Sequence, residues 1–105
     1  MQVQVNTDNF IHGDERVIEV AEAAVDTDLG HMSDKLTRVE VHLKDQNAHK
    51  HGPEHIRCTI EARPRGHRPM SAHHDAEDIQ GALKGAARTL RHRLESEFAK
   101  LDKHR

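Results

Sequence analysis

The 105-residue chain carries 16 Lys/Arg, 18 Asp/Glu and eleven histidines, and its cations are clustered. Lys84, Arg88 and Arg91 are spaced for one side of a helix, within about 60° of one another at 3.6 residues per turn. Arg63, Arg65 and Arg68 crowd around Gly66 in Pro64-Arg65-Gly66-His67, and Arg57 lies a few residues upstream. Arginine presents a planar fork of donors suited to phosphate, and a cation stripe can follow a phosphate backbone without reading bases. All seven residues are candidate RNA contacts. The histidines suggest other chemistry. His49-x-His51 with His55 nearby, and the adjacent His73-His74, are the clusters that could concern a metal ion. Structural zinc sites usually mix Cys with His, whereas the lone cysteine, Cys58, alternates with Ile56 and Ile60 as a buried hydrophobe would. Neighbours in a strand point to opposite faces, so His73 and His74 cannot chelate together. His49, His51 and His55 remain the only metal candidates, and no cofactor is expected. Histidine also titrates near pH 6.5. Protonating all eleven would move the formal charge from −2 to +9, so RNA affinity is expected to rise on acidification.

Catalysis finds no support. There is no Gly-rich phosphate loop and no nucleophile elbow. Asp75 beside His73 and His74 lacks a nucleophile and a pocket. The chain is read as a non-enzyme with no small-molecule substrate.

The net charge of −2 averages two unlike halves. Residues 1–53 hold five Lys/Arg and ten Asp/Glu, a charge of −5; residues 54–105 hold eleven and eight, a charge of +3. A basic region attracts polyanions even where the total is acidic. Phe10 and Phe98 are the only aromatic rings besides histidine, which excludes recognition by base stacking. No run of 18 apolar residues is present to span a membrane, and the N-terminus has no secretory-signal pattern. A cytoplasmic protein with no membrane partner is the expectation.

These residues need elements to hold them. Val3 and Val5 alternate with polar residues as in a short strand. Asp14 is placed to cap a helix running to about Asp28, with Val17, Ala21, Ala24 and Val25 on one face, Ile18 and Leu29 widening it, and Gly30 as a stop. Its other face is acidic: Glu15, Glu19, Glu22 and Asp26. Two strands follow, Thr37–Lys44 with Val39, Val41 and Leu43 inward, and Glu54–Arg63 with Ile56, Cys58, Ile60 and Ala62 inward. The polar loop Asp45–Pro53 joins them. After the Arg-rich turn comes a short strand with Met70 and Ala72, then a long helix over about Ala76–Lys100, with Asp75 near its cap. Ile79, Leu83, Ala86, Leu90, Leu94, Phe98 and Leu101 form its apolar stripe, and Gly81 and Gly85 suggest close packing on the sheet. The expected fold is α+β: a two-layer sandwich in the order β-α-β-β-β-α, with a four-stranded sheet and both helices on one face. One domain spans 1–105, with a frayed tail at 101–105. Joined through a helix, the first two strands are candidates for parallel pairing by a right-handed crossover.

The same order resembles the ribosome hibernation-promoting factor and ribosome-associated inhibitor family, also called sigma-54 modulation proteins, in short form. Its members open with a Met-Gln-x-x-Val-like strand ending near a Thr-x-Asn turn, here Met1-Gln2-Val3-Gln4-Val5-Asn6-Thr7-Asp8-Asn9. The family's last helix opens with an acidic residue followed by Asp-Met-Tyr-Ala-Ala-Ile-Asp. Here the segment is Glu77-Asp78-Ile79-Gln80-Gly81-Ala82-Leu83-Lys84, with Gln80 in place of Tyr and Lys84 in place of the final Asp. The first helix, often basic in relatives, is acidic here apart from Arg16. The resemblance implies a fold similar to double-stranded-RNA-binding domains. It also implies binding to the small ribosomal subunit and its 16S rRNA, with translation inhibited under stress or in stationary phase by occlusion of the decoding channel. The alternative is a divergent module of the same fold that no longer binds ribosomes and contacts a protein or a metal ion through its His-rich loops. Continuity of Lys84, Arg88 and Arg91 with Arg57 or Arg63 favours the first reading, and interruption by acidic side chains favours the second. The oligomeric state is left open.

Overall fold

The computed structural model describes residues 1–8, 11, 13–46 and 55–103. Strand β1 (Gln2–Thr7) leads to helix α1 (Glu15–Leu29), followed by strands β2 (Leu36–Asp45), β3 (Ile56–Pro64) and β4 (Met70–Ala76), and helix α2 (Ile79–Lys103). The sheet order is β1-β2-β3-β4. β1 runs parallel to β2, as a connection through a helix permits, and the other two pairs are antiparallel. The expected α+β architecture is therefore present, with both helices packed on one face of the sheet.

Local chemistry sets the boundaries. Asp14 caps α1, its carboxylate accepting the Val17 N–H at 3.1 Å and so satisfying a donor that the first turn leaves free. Gly30 does not stop the helix in a left-handed turn. It keeps right-handed angles (φ −58°, ψ −36°), and the chain continues through a 3-10 turn, Gly30–Lys35, that buries Met32. The next strand starts one residue earlier than its alternation suggests. A register shift between Leu36 and Arg38 places one extra residue, Thr37, opposite β3, so Leu36 and Val39 both reach the core.

Period-2 alternation then separates the two faces. Val39, Val41 and Leu43 on β2, with Ile56, Cys58, Ile60 and Ala62 on β3, are buried beneath Ala21, Val25 and Leu29 of α1 and Leu83, Leu90 and Leu94 of α2. No polar or charged residue is buried among the described residues. Cys58 is fully buried, and loss of solvation pushes its thiol pKa up to about 12. Ile18 departs from its expected place: it is 39% exposed, on the flank of α1 rather than in the core.

At the second helix the sequence reading needs correction. Asp75 does not lie at the cap but within β4, directly opposite Arg57 of β3. The capping carboxylate belongs to Asp78, which accepts the Gly81 N–H at 2.7 Å, so α2 begins at Ile79. Gly81 and Gly85 lie four residues apart, on a ridge turned toward β4. A Cβ on Gly85 would fall 2.1 Å from the His74 ring, and one on Gly81 would meet Ala76 at 3.2 Å. The glycines let the helix backbone settle against the edge strand. Toward the C-terminus, α2 continues to Lys103, three residues into the segment expected to fray. Leu101 extends the apolar stripe and is half-buried beside Phe98, which gives the added turn something to pack on.

Candidate nucleic-acid interface

The seven candidate cations fall in three places. Arg57 and Arg63 project from β3 onto the sheet face opposite the helices. Arg65 and Arg68 lie on the β3–β4 turn, at the end of the molecule where α2 finishes. Lys84, Arg88 and Arg91 lie on α2, across the sheet from Arg57 and Arg63. The fold thus assembles no single continuous basic surface from them.

On the sheet face, charges are already matched. Arg57 reaches across to its register partner Asp75, with Nε and Nη2 donating to the two carboxylate oxygens at 2.8 and 3.1 Å. That fork holds the Asp75 carboxyl below its ordinary pKa, hydrogen bonding outweighing partial burial, and raises the Arg57 guanidinium. Arg63 donates to Glu61 at 3.3 Å, and Arg38, on the same face, pairs with Glu40 at 2.8 Å and donates to the Gln4 side-chain oxygen. His42 and His73 flank Thr59 in one cross-strand row, with His42 3.9 Å from Glu40.

The helix layer is less balanced. Arg91 is held by Asp28 of α1 at 2.9 Å, and its Nε lies 3.7 Å from Glu95 one turn on. Glu95 also faces His31 at 3.3 Å. Acidic side chains therefore interrupt the stripe at its third member. The i,i+4 spacing made Glu95 visible in the sequence, but Asp28 comes from another helix and carried no such signal. Lys84 and Arg88 are exposed and make no ion pair among the described residues. Lys84 borders a groove of about 250 Å³ between the helices, floored by Val20, Ala24 and Leu83.

The turn forms the third group. Gly66 has φ +73°, a left-handed conformation that suits glycine. Arg65 is anchored by its backbone N–H to the Lys35 carbonyl at 2.9 Å and by Nε to the Asp34 carbonyl at 3.0 Å, leaving its outer donors toward solvent. Arg68 is exposed and has no ion-pair partner among the described residues. Lys35, which sequence reasoning passed over, lies 5.0 Å from the Phe98 ring centroid and borders the same concavity as Arg65 and His67.

The metal candidates are only partly in view. His49 and His51 lie outside the described residues. His55 Nδ1 is 3.1 Å from Asp45 Oδ1. Among the described residues, no group of three or more His, Cys, Asp or Glu is placed to hold a metal ion. His73 and His74 point to opposite sides of the sheet, one beside Thr59 and the other against Gly85. No described helix is long and apolar enough to cross a membrane.

Comparison with known proteins bears on the whole chain. No curated protein matches. Two solved structures share the fold at low identity. A ribosomal subunit interface protein from Coxiella burnetii is 12% identical with a TM-score of 0.72, covering 94% of this chain and 99% of its own. The N-terminal domain of Thermus thermophilus Protein Y is 13% identical with a TM-score of 0.69, covering 91% and 98%. The family model described as sigma 54 modulation protein / S30EA ribosomal protein matches residues 3–103. With strand order, helix placement and a match of that extent in agreement, the chain belongs to the sigma 54 modulation protein / S30EA ribosomal protein family, a family of ribosome-associated hibernation factors that are not enzymes.

Proposed function

We propose that this protein binds the small ribosomal subunit in the cytoplasm, against 16S rRNA, and silences translation by occupying the decoding channel. The observation that carries this reading is the family match over residues 3–103. The mechanism is steric. Exposed cations grip phosphates, and the rigid sandwich fills space that messenger and transfer RNA would otherwise take. The residues best placed for it are Arg65, Arg68, Lys84 and Arg88, because no carboxylate among the described residues competes for them. Arg57, Arg63 and Arg91 contribute less, since a phosphate must first displace Asp75, Glu61 or Asp28.

The test is co-sedimentation of the protein with purified small subunits across a salt series, for the native sequence and for Arg68→Ala/Lys84→Ala/Arg88→Ala. Binding that weakens with salt and with the triple substitution supports the reading; binding indifferent to both overturns phosphate contact by these residues. A second reading is a module of this fold whose partner is a protein. Two observations favour it: Asp28 and Glu95 take up Arg91, and the outward face of α1 is acidic. Failure to co-sediment at low salt would select it.

A further inference from the structure

The two edges of the sheet are finished differently. At β4, α2 packs alongside, and Arg93 Nη1 donates to the Ser71 carbonyl at 2.7 Å. β4 also carries His73, His74 and Asp75, polar residues of the kind that discourage strand pairing. β1 has none of these protections. Its sequence, QVQVNT, holds no charge, proline or glycine, and among the described residues it exchanges strand hydrogen bonds with β2 alone. An edge of this kind presents unpaired N–H and C=O groups as a template for another strand.

What lies around that edge defines the partner. Only two large hydrophobic side chains are exposed among the described residues: Met1, which precedes β1, and Ile18 on α1. The opposite flank of α1 faces α2 through Val20, Ala24 and Thr27. At about 100° per residue, Ile18, Glu15, Glu22 and Asp26 therefore fall on the flank turned away from α2, toward the β1 side. The edge thus combines open backbone, two aliphatic contacts and an overhanging row of carboxylates.

We infer that β1 is a docking edge for an extended, basic polypeptide segment. The segment pairs as a fifth strand and directs every second side chain, Lys or Arg, to the helix-bearing face, where the charged ends meet Glu15, Glu22 and Asp26 and the methylene stems lie against Met1 and Ile18. Strand addition draws affinity from main-chain hydrogen bonds and specificity from alternate side chains. A second copy of this chain is the poorer occupant, because pairing two β1 edges brings two acidic α1 flanks together. The inference does not depend on ribosome binding, since Lys84 and Arg88 take no part in it.

The probe is a capped hexapeptide alternating lysine and valine, with its glutamate–valine counterpart as control, titrated into isotope-labelled protein. The lysine peptide is expected to shift the amides of residues 2–6 and 15–22 and to slow hydrogen exchange along β1. Ile18→Lys/Glu22→Lys, which alters exposed positions only, is expected to weaken binding about tenfold or more, with the fold checked by circular dichroism. Shifts centred elsewhere, an equal response to the glutamate peptide, or no response at millimolar peptide would overturn the inference. So would a concentration-dependent dimer through β1 without peptide, which would make a second copy the occupant.

Discussion

Arg57 on the sheet and Arg88 on α2 are the same side chain in opposite circumstances. Arg57 sits in a strand whose neighbour places a carboxylate directly opposite, and both Asp75 oxygens accept its donors. Arg88 projects from a helix face with no described carboxylate in reach. The sheet forces cross-strand neighbours together at fixed spacing, so opposite charges neutralise each other there. On a helix, a side chain meets only what lies three or four residues away or on a packed neighbour. The difference shows that the number of cations on a surface says little about its capacity for phosphate. What counts is which of them are already spoken for.

The largest expected effect lies on the unpaired side. Arg68→Ala/Lys84→Ala/Arg88→Ala should weaken small-subunit binding on the order of 100-fold at moderate salt and reduce the slope of log affinity against log salt by about 2–3. Co-sedimentation across a salt series measures both. Next in size is the packing that positions α2. Gly85→Ala drives a methyl into the His74 ring and should cost about 1–3 kcal/mol in chemical denaturation, because ring or helix must shift by more than alanine's better helix propensity offsets.

A smaller effect should run in the opposite direction. Asp75→Asn removes the carboxylate that occupies Arg57 and should strengthen small-subunit binding by about two- to fivefold, while stability falls by no more than about 1 kcal/mol, as for an exposed pair. Stronger binding on loss of an acid would be hard to explain if Arg57 were already engaged with RNA. The smallest effect concerns pH. Asp75 has a folded pKa below its unfolded value of about 3.9, so its stabilising contribution is complete above that value and is lost as pH falls through the folded one. Thermal midpoints measured between pH 5 and pH 2 should fall further for the native protein than for Asp75→Asn.

The same contrast explains what could be read from the chain before folding. Val39-x-Val41-x-Leu43 and Ile56-x-Cys58-x-Ile60 declare their strands locally, and the Leu83, Leu90 and Leu94 stripe declares its helix; sheet, layers and core follow. Charge partners do not declare themselves this way. Asp75 looked like a helix cap because Asp78 lies three residues on. Its opposition to Arg57 depends on the register set by the turn at Gly66, a non-local property. Arg91's partner Asp28 likewise gave no local signal, because it reaches across from a helix 63 positions earlier in the chain. Gly30 resembled a stop, yet burial of Met32 outweighed the local preference. Ile18 fitted the apolar face by spacing, but among the described residues no third element lies beside that flank of α1 to cover it.

Cys58 ties the chain's covalent chemistry to its motions. The thiolate is the form that attacks thiol reagents, and this sulfur is both fully buried and, with its pKa pushed up to about 12, protonated at neutral pH. In the closed sheet it is therefore inert to alkylating agents and mild oxidants. Modification at neutral pH waits for the helix layer to part from the sheet, so a slow alkylation trace records how often the core opens. The single thiol serves as a clock built into the protein: its labelling rate, compared with that of the unfolded chain, reads out the free energy of opening at the centre of the fold.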